Sequence, residues 1–411
     1  MTHPDLALLT GADAHDLLAA AVATSGGELI EWRVRQVDHR PGSSSTASYD
    51  ATVVHDGARA RQTLGASVGL STVGTDLPGV LELSDGSRRV AVWRFPQDPG
   101  LPGLAAAADP EALARLLRDL GVAGVSAADV EVSVAAYRPR RRAVLRVRAP
   151  GAGVYVKVVR PSTVHDLHRR HVLLREAGLP VPRSLGWSED GVLVLEPLTG
   201  TPMRGRLRAP GAALPTADEV VGLLDRLPEG VLELPHRPAW SEHAEHYAAV
   251  IGAVLPAEAD RARELAAVVA SRIAGLPADA PTHGDLYEAQ LLVSEGRISG
   301  LLDVDSAGPG RRADDLACLV AHVEVLATID EQHRDRLRRL SRGWARELAR
   351  QVDPDELRAR VAGVTLSLAT GPHRVQDPQW PTATTRRLDL VEEWLSGPPV
   401  ATSDDGGAWG P

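Results

Sequence analysis

The chain has 411 residues, 44% of them hydrophobic and 24% charged, with a formal net charge of −9. Those values fit a folded protein of two or three domains and exclude both general disorder and a broad nucleic-acid-binding surface. The single cysteine, Cys318, excludes an intrachain disulfide and points to a reducing compartment. No basic segment precedes an apolar stretch at the start of the chain, and no run reaches the roughly 18 apolar residues of a membrane helix. We therefore expect a cytoplasmic protein with neither membrane nor nucleic-acid partners; oligomeric state is not legible. One compositional bias is extreme: of 45 Lys and Arg residues only Lys157 is lysine, and asparagine is absent. A compact ammonium on a flexible stem is not replaceable by a planar guanidinium everywhere, so a lysine kept in such a chain calls for a chemical reason.

In chain order, residues 13–23 have helical periodicity and lead into a β-rich run containing His39-Arg40-Pro41. The strand Arg89–Arg94 follows, then Pro96. Asp109-Pro110-Glu111 starts a second helix with a capping Asp, a proline in the first turn and an acid near the positive helix end. Tyr137-Arg138-Pro139, a strand, and Val154–Val159 come next, then Pro161. The order helix, Arg-Pro step, strand, proline occurs twice, and reads either as a weak repeat or as two unrelated helix-then-hairpin units. If it is a repeat, residues 1–108 form a cap domain echoing the lobe after it, with Trp93 at the place of Lys157.

A helix is predicted over about 162–177, ending near Gly178, and a buried strand over Gly191–Glu196. From about 216 onward helical periodicity dominates: Leu337, Leu340, Trp344 and Leu348 form one stripe, and Asp353-Pro354 opens a further helix. The tail after Ser396 is rich in Gly, Pro and Asp and is expected to be disordered. His165, His168 and His171 repeat at i,i+3 on one helix, read here as a wet face, since zinc needs further ligands. Cys318, beside Leu316 and Leu319, reads as core.

One break interrupts the helical half. Two short apolar strands, about 290–293 and 298–302, form a hairpin with Glu295-Gly296 at its turn. Its open end places Asp285, Gln290 and Asp303 side by side. Hard oxygen donors in that number suit Mg²⁺, which keeps waters and phosphate oxygens as its other ligands. A carboxylate not bound to metal can take a proton from an attacking hydroxyl. With a lysine on a separate sheet, the parts of a phosphoryl-transfer site are present. Taken singly, Asp285 and Asp303 are equally ordinary turn residues.

These segments resemble the aminoglycoside phosphotransferase and choline kinase superfamily. HGDLYEAQLL (283–292) is similar to its catalytic loop, GLLDVDSAGPGRRADDLACL (300–319) to its metal-binding strand and following helix, VYVKVV (154–159) to its lysine strand, and GVLVLEPLTGTPM (191–203) to its hinge. The resemblance covers roughly 125–325. It implies an α+β, protein-kinase-like two-lobe fold, β-rich N-lobe and helical C-lobe, preceded by a β-rich cap. The divisions expected are 1–108 (cap), 109–200 (N-lobe with hinge), 201–398 (helical C-lobe) and 399–411 (tail). It implies ATP and Mg²⁺ as cofactors and a small-molecule hydroxyl as acceptor, with Asp285 as base, Gln290 and Asp303 on the metal and Lys157 on the α/β-phosphates. Glu196 to Leu198 would line the adenine pocket through their backbone, His283 would brace the loop and Asp315 would anchor the helix that supports it. The cap is similar to that of a maltokinase-like branch, which implies a sugar; an aminoglycoside is the other acceptor class.

Three positions depart from the pattern. Gln290 stands where the family has Asn. The acidic helix partner of Lys157 is undefined, Asp166 being nearer the expected place than Glu176. In place of a glycine-rich turn stands Arg138-Pro139-Arg140-Arg141-Arg142, which either brings cations to phosphates or is a solvated basic turn. The competing function is a catalytically weak, pseudokinase-like nucleotide-binding module.

Overall fold

Two five-stranded antiparallel sheets with one strand order occupy the first half of the chain. The structure is a computed structural model and describes residues 3–69, 78–84, 86, 88–122, 126–149 and 152–397; the expected disordered tail lies outside them. The chain divides into two compact units, residues 1–172, 182–197 and 372–380 in the first, and 173–181, 198–371 and 381–411 in the second.

The first unit opens with α1 (Pro4–Thr10) and α2 (Ala14–Ala23), then β1 (Glu28–Arg40), β2 (Ser44–His55), β3 (Ala58–Gly69), β4 (Val80–Ser84) and β5 (Arg89–Arg94), with sheet order β1-β2-β3-β5-β4. It continues with α3 (Leu104–Ala108), α4 (Pro110–Asp119), β6 (Glu131–Arg138), β7 (Arg142–Ala149), β8 (Ala152–Val159), α5 (Pro161–Glu176), β9 (Ser184–Trp187) and β10 (Val192–Leu195), with order β6-β7-β8-β10-β9. Two helices precede each sheet. The caps follow the sequence: the Asp109 carboxylate accepts from the Ala112 N–H at 2.7 Å, with Pro110 in the first turn of α4.

The two sheets match at the rungs nearest the β1–β2 and β6–β7 turns, before the bulges of β1 and β6 put them out of phase. Arg40 faces Ser44 as Arg138 faces Arg142. Ser44 faces Gly69 as Arg142 faces Val159, and Thr46 faces Ser67 as Val144 faces Lys157. Ser67 then faces Ala91 as Lys157 faces Leu193. This corrects one expectation: the counterpart of Lys157 is Ser67 on β3, not Trp93. Trp93 lies on β5, whose counterpart is β10. The shared order of strand then proline misplaced it: Pro96 follows β5 and Pro161 follows β8, but those two strands hold different places in their sheets.

Trp93 has a packing role. It is fully buried and lies against Gly65, where an added Cβ would come within 2.4 Å of the indole, so the strand needs glycine there. Its indole N–H donates to the Tyr137 hydroxyl at 2.9 Å, and that hydroxyl donates to Asp98 at 2.7 Å. A buried polar chain thus ties the first sheet to the second. Burial, then the Asp98 charge, drives the Tyr137 phenol well above its ordinary range, so it stays a donor. On the other side of the second sheet, Val164 and Leu167 of α5 pack on Val159, Leu193 and Leu195.

The second unit is mostly helical. Its elements are β11 (Thr201–Pro202), α6 (Met203–Arg208), α7 (Ala217–Leu224), α8 (Ala244–Val254), α9 (Ala259–Ile273), β12 (Ala280–Thr282), β13 (Leu291–Ser294), β14 (Arg297–Leu301), β15 (Gly308–Gly310), α10 (Arg312–Ile329), α11 (Arg334–Leu348) and α12 (Pro354–Ala369). The short α13 (Gly371–Arg374) leads the chain into its first-unit segment, and α14 (Trp380–Ser396) ends the described fold. α10 and α12 are buried almost all round, as central helices are. Between them lies an ionic knot. Arg360, fully buried, bonds Asp314 and lies 2.8 Å from Glu356, which Arg311 grips with both arms at 2.5 and 2.7 Å. Among the described residues no single helix is long and apolar enough to cross a membrane.

Candidate active site

The hairpin β13–β14 forms as expected, with Glu295 and Gly296 at its turn in left-handed conformation. The chain before it, His283 to Gln290, is held by contacts of both its backbone and its side chains. The buried Asp315 carboxylate, near the start of α10, accepts from the His283 N–H at 2.7 Å and the Gly284 N–H at 2.8 Å. Burial pushes this carboxyl up to about 7, against the pull of those two donors. Gly284 has φ +78°, and a Cβ there would lie 2.5 Å from the Ser306 carbonyl oxygen, so only glycine passes.

His283 is fixed in one tautomer. Its Nε2 lies 2.9 Å from the Leu302 carbonyl, which can only accept, so Nε2 carries the proton. Its Nδ1 receives the Asp285 N–H at 3.3 Å, so Nδ1 is bare. The imidazole is therefore neutral and joins the loop to the end of β14. The bracing expected of His283 corresponds to these contacts, whereas Asp315 holds the loop itself to the start of α10.

At the open end of the hairpin, the Gln290 amide lies 3.3 Å from Asp303 Oδ2, with Gln290 buried. Asp303 itself sits at φ +56°, a conformation costing a non-glycine residue about 1 kcal/mol or more. Asp285 is near but differently engaged. Its Oδ1 accepts from the Trp240 indole N–H at 2.9 Å and has the Cys318 thiol 3.8 Å away. Tyr287 feels both carboxylates: burial first, then Asp285 and Asp303, push its phenol up to about 12. It stacks on His322 with 4.2 Å between ring centroids.

Sequence reasoning missed several of these groups. Trp240 lies 45 residues before Asp285 in no motif. Arg204 reaches Glu288, fully buried within the 283–290 loop, at 2.7 Å. Cys318 is buried as expected, yet its thiol faces Asp285; burial, then that charge, drives it well above the usual thiol range. The wet histidine face needs correction. His165 is exposed, but His168 bonds Ser184 at 2.8 Å and His171 is buried with its Nδ1 2.9 Å from the Pro182 carbonyl. Among the described residues no three His, Cys, Asp or Glu side chains converge as a metal cluster.

In the first unit, Lys157 is buried in the middle of β8, between Val144 on one side and Leu193 on the other. Asp166 on α5 lies 3.8 Å from His165. Glu196 follows β10, half exposed and paired with Arg183 at 2.9 Å; Leu198 is the first residue beyond the first unit.

A family model described as the phosphotransferase enzyme family matches residues 122–349, more than half of the chain. Solved structures similar to it include a choline/ethanolamine kinase family protein from Mesorhizobium loti, 19% identical, TM-score 0.46, covering 70% of this chain and 95% of that one. Aminoglycoside phosphotransferase APH(3'')-Id from Streptomyces rimosus is 22% identical, TM-score 0.41, covering 62% and 96%. Macrolide 2'-phosphotransferase MphH from Brachybacterium faecium is 18% identical, TM-score 0.41, covering 71% and 98%. Among curated proteins no match is found.

Proposed function

Since the chain belongs to the phosphotransferase enzyme family, we propose that it moves the γ-phosphoryl group of ATP, with Mg²⁺, to a hydroxyl of a small molecule, sugar or aminoglycoside-like. The observation that carries this is the braced loop: Asp315 and the neutral His283 fix the backbone of the Asp285 segment, and Tyr287 feels the charges of both Asp285 and Asp303. A carboxylate held in that way is a positioned general base. The substrate hydroxyl oxygen attacks Pγ, its proton passes to Asp285, and the bond from Pγ to the bridging oxygen breaks to release ADP.

Asp303 and the amide oxygen of Gln290 are hard donors that would hold a cation once the Gln290 amide turns, since here its Nε2 donates to Asp303 Oδ2. When bound, Mg²⁺ supplies charge neutralisation for the phosphates. The chain's own parts then do the rest. Lys157 contacts the α/β-phosphates, the backbone of Glu196 to Leu198 receives the adenine, and Trp240 aims the base.

Asp285→Ala should lower phosphoryl transfer by about 10²-fold or more; unchanged turnover would remove Asp285 from the role. One observation favours the weaker alternative, a nucleotide-binding module: the longer Gln290 directs its amide towards Asp303. A module binds ATP·Mg²⁺, shown by a rise in thermal midpoint, and never turns it over. No rise at millimolar nucleotide would sink both readings.

A further inference from the structure

The first unit holds a basic cavity that the proposed reaction does not use. It has a volume of about 500 Å³ and lies where the β1–β2 turn meets the β6–β7 turn. Arg40, Arg140, Arg141 and Arg160 line it, together with Asp38 and Ser44. Lys157 does not. Asp38 is paired with Arg141 at 2.7 Å. Arg140 donates to the Ser67 hydroxyl at 2.9 Å, its backbone N–H donates to Asp98 at 2.8 Å, and Arg160 donates to the Arg140 carbonyl at 3.1 Å. Arg40 and Arg160 are exposed at the rim. The sequence alternative of a freely solvated basic turn therefore fails for Arg140 and Arg141, which are built into the fold.

Three independent features point to an anion. First, the guanidiniums repel one another: burial, opposed by Asp98, and then Arg160 and Arg40, lower the Arg140 value. Behind them, Arg138 is brought down to about 10 by burial and by Arg374, Arg141 and Arg142, and its buried Nε has no hydrogen-bond partner. Second, the ladders equate Arg140 with Gly42, the left-handed residue of the sister turn, at φ +71°. Arg140 holds the same conformation at φ +59° without glycine's freedom. A bulky cation kept where glycine is at ease is strain of the kind found at binding sites. Third, Pro161, the first residue of the 16-residue α5, lines the cavity, which places a positive helix end there.

We propose that this cavity is a binding site for a small phosphate-bearing anion, gripped by Arg40, Arg140 and Arg160. Forked guanidinium donors and a helix start match phosphoryl oxygens, whereas the shared, paired Asp38 leaves room for net negative charge in the ligand. The proposal does not depend on the proposed function, because it involves no turnover.

The test is calorimetric titration of the full chain with inorganic phosphate, pyrophosphate and ribose 5-phosphate, separately, at fixed ionic strength and without divalent cations. At least one should bind. Arg160→Gln and Arg40→Gln, both at exposed positions, should each weaken it about tenfold or more, the loss expected for a charge-assisted bond. Without anion, the thermal midpoints of these two variants should stay at the wild-type value. The tightest of the three ligands identifies the source of the phosphate. Affinity insensitive to both arginine substitutions, or no binding at millimolar anion, would each overturn the site.

Discussion

Trp240→Phe tests the geometry of the site with the least disturbance. The indole N–H is 2.9 Å from Asp285 Oδ1, and the Trp240 side chain is only partly buried, so the phenyl ring keeps most of the packing and loses one donor. A hydrogen bond to a charged group is worth about 1.5–3 kcal/mol, which corresponds to about 10- to 150-fold in rate if it is fully used in the transition state. The donor favours the ionised carboxylate, the form that accepts the substrate proton. Its loss should lower kcat by about tenfold or more and move the acidic limb of the pH–rate profile to higher pH. KM for ATP should stay near wild type, because the contact is to the base alone. Steady-state kinetics from pH 5 to 9 reads all three. A variant with wild-type kcat and an unmoved acidic limb would show that Asp285 is not aimed by Trp240. A rise in KM alone would assign the indole to substrate contact instead.

Lys157→Arg should impair nucleotide use at least about tenfold while leaving the thermal midpoint close to wild type, since the stem still fits the strand but the fork does not replace the ammonium; wild-type kinetics would return the lone lysine to coincidence. Arg360→Met should cost about 3–5 kcal/mol in urea unfolding of the second unit by taking its cation from the buried Asp314 carboxylate, while Glu356 keeps Arg311. Adding Asp314→Asn should recover part of that loss, and a cost below about 1 kcal/mol would refute the knot's role. Asp315 is held at about 7 in the folded state, above its ordinary 3.8, so its protonated form is the one folding favours. Stability relative to Asp315→Asn should therefore be greatest below about pH 4 and fall as pH rises to about 7; a flat difference across that window would refute it.

The parts legible in the sequence were those governed by neighbours in the chain. Asp109 and Asp353 cap their helices because a capping carboxylate bonds an amide three residues on, and both bonds are present. The hairpin at 291–301 was legible because two short apolar runs flanked a turn pair. What failed was anything set by distance through space. The order strand then proline pairs Trp93 with Lys157, whereas the ladders pair Ser67 with it. Trp240 carried no motif, and its indole reaches Asp285 only because the second unit folds them together. The His171 ring was read as wet because its i,i+3 spacing said nothing of the backbone carbonyl waiting for it at Pro182.

The agreement of the two sheets at the rungs nearest these turns has a consequence for how such a chain can change. At the rung where one sheet carries its lysine, the other carries a buried serine whose hydroxyl already receives the Arg140 guanidinium. A lysine placed at Ser67 would set an ammonium against that guanidinium, so the substitution is blocked by the neighbour rather than by the site itself. The two sheets are not interchangeable. One is the foundation on which the other's turn is mounted, and each limits the substitutions the other can accept.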